Sequence, residues 1–323
     1  MDPDIVGTGV KIVFFGTGDI GLPTLEALAA SHDHELLAVF TQPDKPFGRS
    51  GDLKESGPKK FAALQGIPVH QPDSMRSNES RELLRGYAPD VVVVVAYGQI
   101  LPKEILNIPS VACLNLHASI LPLYRGASPI QGTVLAGDSQ SGMTVMYMDE
   151  GLDTGDVLLV HKVELNPGET GGSLHDRLAA IGPIALMEAL KMLGEGNAPR
   201  IAQDHTAASH TGKLKRSHGA VDWRLDAPII CRQIHAYAPW PGTFAVLGDG
   251  AVIKLFPPAE VVSEESFEPG HIIKADRDGI IVSCGKGALK LMELQLAGSR
   301  RMSVADFLSG RKLKPGDSFA LDS

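Results

Sequence analysis

The sequence predicts an α/β protein: an open, doubly wound, mostly parallel sheet followed by a small β-barrel. Three observations carry that reading. Short apolar runs alternate with helical patterns through the first half of the chain. The run Val91–Val95 is β-branched throughout, as a strand covered on both faces is. Beyond residue 218, short apolar runs recur between turns rich in Gly, Asp and Pro.

The elements follow in order. Lys11 to Phe15 is an apolar strand ending at Gly16, and Leu22 to Ala30 is a helix with Pro23 in its first turn. Leu36 to Phe40 is a second strand and Pro68-Val69 a third. Val91–Val95, Cys113 to His117 and Thr144 to Met148 complete the series. Alternation of this kind implies parallel strands joined by crossover helices, a Rossmann-like sheet that binds ligands beyond the carboxyl ends of its strands. Leu174 to Leu193 is a long helix, and Gln203 to His218 is polar, as a linker is. After it come a helix (Pro228 to Tyr237) and β runs at 244–247, 252–256, 271–275, 279–284 and 288–296. A barrel of the oligonucleotide-binding type (OB-like) is expected there. The expected organisation is therefore a catalytic domain at 1–202 with a long, mobile basic loop at 42–60, a linker at 203–218 and a C-terminal barrel at 219–323.

Composition narrows the function classes. Of 323 residues 43% are hydrophobic and 21% charged, enough for a sizeable core. Lys+Arg 30 against Asp+Glu 38 gives a net charge of -8, which excludes a generic nucleic-acid coat. The charge is uneven: residues 1–200 hold 15 basic and 24 acidic side chains, the rest 15 and 14. Cys113, Cys231 and Cys284 are far apart and odd in number, so neither a disulfide framework nor a zinc site is indicated. The amino end has no cationic leader pattern, and no apolar run reaches the roughly 20 residues that span a bilayer. A cytoplasmic protein with no membrane contact is expected.

Two motifs compete for the chemistry. Gly16-Thr-Gly18-Asp-Ile-Gly21 follows a strand and opens a helix, and Asp44 stands beyond the second strand, as in a dinucleotide site. An NAD(P)-dependent dehydrogenase is one hypothesis. The plainer account is a tight turn that needs glycine. Asp44 lies within Gln42-Pro-Asp-Lys-Pro46, a turn sequence, which counts against the ribose role. The second constellation is sharper. Asn115 and His117, two apart on a strand, share a face at its carboxyl end, and Asp149, Asp153 and Asp156 follow the next strand. An amide, an imidazole and a carboxylate at one sheet edge are the material of acyl transfer. Asp153-Thr-Gly155 occurs once, so it cannot supply the paired carboxylates of an aspartic protease. The carboxylates also lack any recognisable metal-loop spacing. Basic residues cluster in three places: 45–60, 213–216 and 300–314. Together they suggest a polyanion contacted from several sides.

Asn115-x-His117, Ser119-x-Leu-Pro-x-x-Arg-Gly126, Pro129-Ile-Gln131 and Gly151-Leu-Asp-Thr-Gly-Asp156 together resemble the signature of the folate-dependent formyltransferases. Phe40-Thr-Gln-Pro-Asp44, Gly212-Lys-Leu214, Val221-Asp-Trp223 and Pro239-Trp-Pro-Gly242 extend the resemblance to the members that act on tRNA. The resemblance implies transfer of the formyl group of 10-formyltetrahydrofolate to the α-amino group of methionine on initiator tRNA, for translation initiation. It implies Asn115, His117 and Asp153 as the catalytic set. It places the folate against Ala96, Tyr97, Gly98, Ile100, Leu101, Ser119, Leu121, Pro122 and Arg125. It assigns tRNA contacts to Lys45, Arg49, Lys54, Lys59, Lys60, Lys213, Lys215, Arg216, Arg300 and Arg301. No metal is implied, and a monomer is expected. The chain departs from the family pattern at Ser50 to Ser56, where two acids stand among the bases. A related enzyme acting on a sugar amine or glycinamide ribotide is the alternative, which has no need of the second domain or the basic loop.

Overall fold

The structure is a computed structural model that describes residues 9–47, 52–264 and 267–321. The chain divides into two units. One comprises residues up to 129, 141–163 and 175–211; the other comprises 130–140, 164–174 and the rest from 212.

The first unit runs β1 (Lys11–Gly16), α1 (Leu22–Ala29), β2 (Glu35–Phe40), β3 (Lys45–Phe47), β4 (Asp52–Lys54), α2 (Gly57–Leu64), β5 (Val69–His70), α3 (Asn78–Tyr87), β6 (Val91–Val95), α4 (Lys103–Leu106), β7 (Ala112–His117) and β8 (Arg125–Gly126). Next come α5 (Pro129–Ala136), almost wholly in the second unit, then β9 (Gln140–Tyr147) and β10 (Val157–Glu164). α6 (Gly171–Gly194) and β11 (His210–Thr211) follow. The sheet order is β10-β9-β7-β6-β1-β2-β5. β1 lies parallel to both β2 and β6, so the winding reverses there, and a crevice forms beyond such a reversal. The five valines of β6 are all buried, as their run of β-branched residues predicts. Phe15 stacks on Phe40 at 4.6 Å between ring centroids and meets Tyr97 edge-on at 5.0 Å.

Three features depart from expectation. β9 is antiparallel to β7, with Thr144 opposite His117 and Tyr147 opposite Leu114. It therefore starts at the edge where β7 ends and runs away from it. β10 is an outer strand missing from the expected series: its apolar run ends at Val160, and its exposure rises after its first two residues. The stretch 42–60, expected as one loop, holds the β3–β4 antiparallel pair and the start of α2, whose Ser56 side chain caps the Lys59 amide.

The second unit contains α7 (Ala227–Ala236), β12 (Thr243–Val246), β13 (Val252–Val262), β14 (Ile272–Asp276), β15 (Gly279–Ser283), β16 (Ala288–Leu296), β17 (Met302–Ser303) and α8 (Val304–Gly310). The antiparallel order is β12-β13-β16-β15-β14, with β17 on β16. β13 passes through Pro257-Pro258, where the ladder slips, so the prolines sit where no ladder hydrogen bond is asked of them. Residues 317–320 bond to Val246 and Gly248 on one side and to Gly270 and Ile272 on the other. The outer strands are thereby joined and the sheet is barrel-like, around buried Trp223 and Phe319. The stretch 203–218, expected as a single linker, is shared: 203–211 belongs to the first unit and 212–218 to the second.

Candidate active site

β7 ends with two side chains on one face. Asn115 and His117 are 8% and 6% exposed. Asp153, from the turn after β9, faces both. Asn115 Nδ2 stands 3.5 Å from Asp153 Oδ1, and His117 Nδ1 stands 3.7 Å from Oδ2. The Gly126 amide donates to Oδ2 at 2.7 Å and fixes the carboxylate. His117 Nε2 lies 3.0 Å from the Tyr124 carbonyl oxygen. A carbonyl only accepts, so Nε2 carries the hydrogen, and Nδ1 is the nitrogen turned to the carboxylate.

The surrounding backbone is held in conformations that side chains disfavour. Tyr124 has φ 58 and Asp153 φ 54, both left-handed. At Gly126, φ 110, a Cβ would stand 2.2 Å from the Thr211 carbonyl oxygen, so only glycine fits. The support comes from 203–211. β11 pairs parallel with β8. The Tyr124 amide donates to Ser209 Oγ at 2.8 Å and the Arg125 amide to the Ser209 carbonyl at 2.8 Å. The Ser128 amide donates to Thr211 Oγ1 at 3.1 Å. Gln203 Nε2 donates to the carbonyls of Asp153 (3.0 Å) and Gly155 (2.7 Å). None of these supports was anticipated from the sequence, where the dense polar character of 203–211 was the available signal.

The residues expected around a folate divide into two groups. Ala96 and Gly98 are exposed where the chain turns left-handed after β6, and Ile100 is 68% exposed. Tyr97 and Leu101 instead point into the core, where burial pushes the Tyr97 phenol well up. Ser119 donates to the Leu123 carbonyl at 2.6 Å, inside its own loop. Leu121 is buried with Met146 and Val157, and Pro122 is half-buried. Arg125 is buried, with Nε and Nη2 on Gln203 Oε1 (3.1 and 2.7 Å) and Nη1 3.2 Å from His205 Nδ1.

Among the expected tRNA contacts, Lys45, Lys54, Lys60, Lys213, Lys215, Arg216 and Arg300 are exposed. Arg49 lies outside the described residues. Lys59 is taken up by ion pairs to Asp44 and Glu55, and Arg301 by Glu293 while it lies over Phe256.

The glycine turn after β1 is bonded largely within the chain. The amides of Thr17 and Gly18 donate to the Ala96 carbonyl, and that of Gly21 to Gly18. A Cβ at Gly16 would stand 3.0 Å from the Val95 carbonyl oxygen, and one at Gly21 3.1 Å from Val95 Cβ. The glycines thus let β1, β6 and α1 approach. Asp44 is bound by Lys59 and by Gln71 Nε2 at 2.9 Å, and the lysine above all holds its carboxyl below the usual carboxylate range. Nor do the three carboxylates that follow β9 converge. Asp149 caps the Gly151 amide and Thr154 Oγ1, Asp156 lies 3.7 Å from Arg200 Nη1, and Asp153 serves Asn115 and His117.

Residues 10–190 match the family model described as formyl transferase, and residues 213–312 match formyl transferase, C-terminal domain. The chain is 43% identical over 310 residues to the methionyl-tRNA formyltransferase of Aromatoleum aromaticum, covering 96% of this chain and 97% of that one. It is 45% identical over 311 residues to the methionyl-tRNA formyltransferase of Magnetococcus marinus, covering 96% and 98%. Among solved structures it resembles WlaRD, a sugar 3N-formyl transferase, with TM-score 0.63, 18% identity and 91% and 100% coverage. It also resembles HypX from Aquifex aeolicus in complex with tetrahydrofolic acid, with TM-score 0.62, 15% identity and 97% and 51% coverage. These two share the fold. Among the described residues, no helix is long and apolar enough to cross a membrane.

Proposed function

The chain belongs to the formyl transferase family and carries both its N-terminal and its C-terminal domain, and from that premise we propose that it N-formylates methionyl-tRNA for translation initiation. The single observation that carries the assignment to this site is the convergence of Asn115, His117 and Asp153 at one strand end. The formyl donor in this reading is 10-formyltetrahydrofolate, and the acceptor is the free α-amine of methionine on initiator tRNA.

One observation supports a fit to the folate. Among the described residues the backbone of Gly98 and of Ile100 makes no hydrogen bond, while the Ile100 side chain is largely exposed. Available main-chain donors and acceptors beside an apolar side chain suit a flat, polar-edged ring. The folate contacts proposed are therefore Ala96, Gly98 and Ile100, together with the backbone of 97–101 and the 121–122 segment. Arg125, Ser119 and the Tyr97 ring act as scaffold.

The amine nitrogen adds to the formyl carbon and negative charge builds on the formyl oxygen. The bond from that carbon to the folate nitrogen then breaks, and the proton given up by the amine ends on the departing folate nitrogen. Asn115 donates to that oxygen with an Nδ2 hydrogen. His117 Nε2 is occupied by the Tyr124 carbonyl, which leaves Nδ1 to take the amine's proton. The imidazolium so formed lies between the Tyr124 carbonyl and the Asp153 carboxylate and returns the proton to the departing folate nitrogen. No nucleophilic side chain is required. The exposed cations at 45–60, 213–216 and 300 serve the tRNA, with 1–202 as catalytic domain and the portion from 219 as tRNA-binding barrel. A cytoplasmic monomer is the proposed state.

Incubation with 10-formyltetrahydrofolate and methionyl-initiator tRNA is the test. N-formylation of that tRNA, with none of elongator methionyl-tRNA or of a sugar amine, is expected. Formylation of the sugar amine alone would replace the reading. Arg49→Ala is expected to raise KM for tRNA while leaving folate binding intact; equal loss of both would make that loop a structural element.

A further inference from the structure

We propose that Gln203 is a positioning residue for formyl transfer, holding Asp153 at the angle from which its carboxylate serves Asn115 and His117. The inference rests on the catalytic reading above. Gln203 is 8% exposed, and both ends of its amide are engaged. Arg125 donates twice to Oε1, at 3.1 and 2.7 Å. A guanidinium has no acceptor, so the amide can face it only through oxygen. The two Nε2 hydrogens are thereby turned to the carbonyls of Asp153 and Gly155. Those carbonyls bracket the turn in which Asp153 adopts φ 54, a conformation that persists only where surrounding contacts over-determine it.

No other side chain does both jobs. Glutamate would present an acceptor to two acceptors. Asparagine is one methylene short, and lysine or arginine would meet Arg125 with like charge. Among the described residues Gln203 makes no hydrogen bond to Asn115 or His117, so its influence on them runs through the Asp153 main chain. The buried Arg125 takes a matching role, setting the amide's orientation rather than meeting a ligand.

The test uses the full-length chain with Gln203→Met, similar in length but apolar, and Gln203→Glu, which keeps the Arg125 contact and loses the donors to the carbonyls. Both variants are expected to lose roughly 10- to 100-fold in kcat, the scale on which a small misplacement of a reacting group acts. KM for tRNA and for folate is expected to stay within about threefold. With Asp153→Ala already present, adding Gln203→Met is expected to cost nothing more, because the two act as one unit. The Gly126 amide, which donates to Asp153 Oδ2, is expected to exchange its hydrogen faster in both variants while thermal unfolding stays cooperative. Unchanged kcat, an undiminished loss in the Asp153→Ala background, or unchanged exchange at Gly126 in Gln203→Glu would overturn the proposal. A wild-type chain that fails to formylate methionyl-tRNA would overturn the functional reading instead, and exchange at Gly126 would still report the geometry.

Discussion

Two turns at the carboxyl edge of one sheet make opposite use of similar material. At the end of β1, three glycines and an acid beyond the neighbouring strand present a cofactor motif, yet the amides of Thr17, Gly18 and Gly21 are bonded within the chain. Asp44 is likewise committed to Lys59 and Gln71. At the end of β7, Asn115, His117 and Asp153 face one another at 3.5 and 3.7 Å, with His117 Nδ1 left as an acceptor of a proton. Committed groups build a fold. Groups held in place with capacity left over are the ones proposed to perform chemistry, and the glycine motif alone does not distinguish the two.

The largest effect that would break this contrast is loss of the second constellation without loss of turnover. Asn115→Ala and Asp153→Ala are each expected to lower the single-turnover rate by roughly 10² or more, as removal of a placed polar group at a developing oxyanion does. Near-wild-type rates would reduce β7 to scaffold. Gly126→Ala sharpens the contrast within the same site. Its Cβ would meet the Thr211 carbonyl oxygen at 2.2 Å, so thermal stability should fall by more than about 1 kcal/mol and turnover with it. A stable, active variant would mean that β8 and β11 can part freely. The smallest effect belongs to the first turn. Asp44→Asn should leave formyl transfer unchanged and confer no sensitivity to NAD(H). Because Lys59 lowers the folded pKa of Asp44, the pair's stabilisation is full at pH 7 and is lost as pH falls through that lowered value. In urea unfolding the variant should cost at most about 1 kcal/mol at pH 7, and the gap to wild type should close in acid. A loss of folate binding in Asp44→Asn would return chemistry to the glycine turn.

The parts legible in the sequence were those set by short-range pattern. The valines of β6 and the Asn115–His117 spacing declared their strands and their face, because the period of a strand is fixed by its backbone. The direction of β9 was not legible, since the same five residues pair either way and only the neighbouring chain decides. Pro257-Pro258 hid the continuation of β13, because a bulge is a tertiary accommodation. The role of 203–211 was the largest omission. Ser209 and Thr211 bond to Tyr124, Arg125 and Ser128, far away in sequence, and polar composition alone reads as a linker. Arg125 was placed against a ligand by motif; its buried partners, Gln203 and His205, show it occupied within the protein.

The pairing of β8 with β11 also sets a timetable. A chain is synthesised from its amino end and begins to fold as it emerges. β1, β6, β7 and β9 can associate while Gln203 to Thr211 is still to be made. During that interval the nascent chain holds Asn115, His117 and Asp153 but lacks the ladder that sets Tyr124 and Gly126 around them. The ladder around Tyr124 and Gly126 therefore cannot form until the first unit's last segment has left the ribosome.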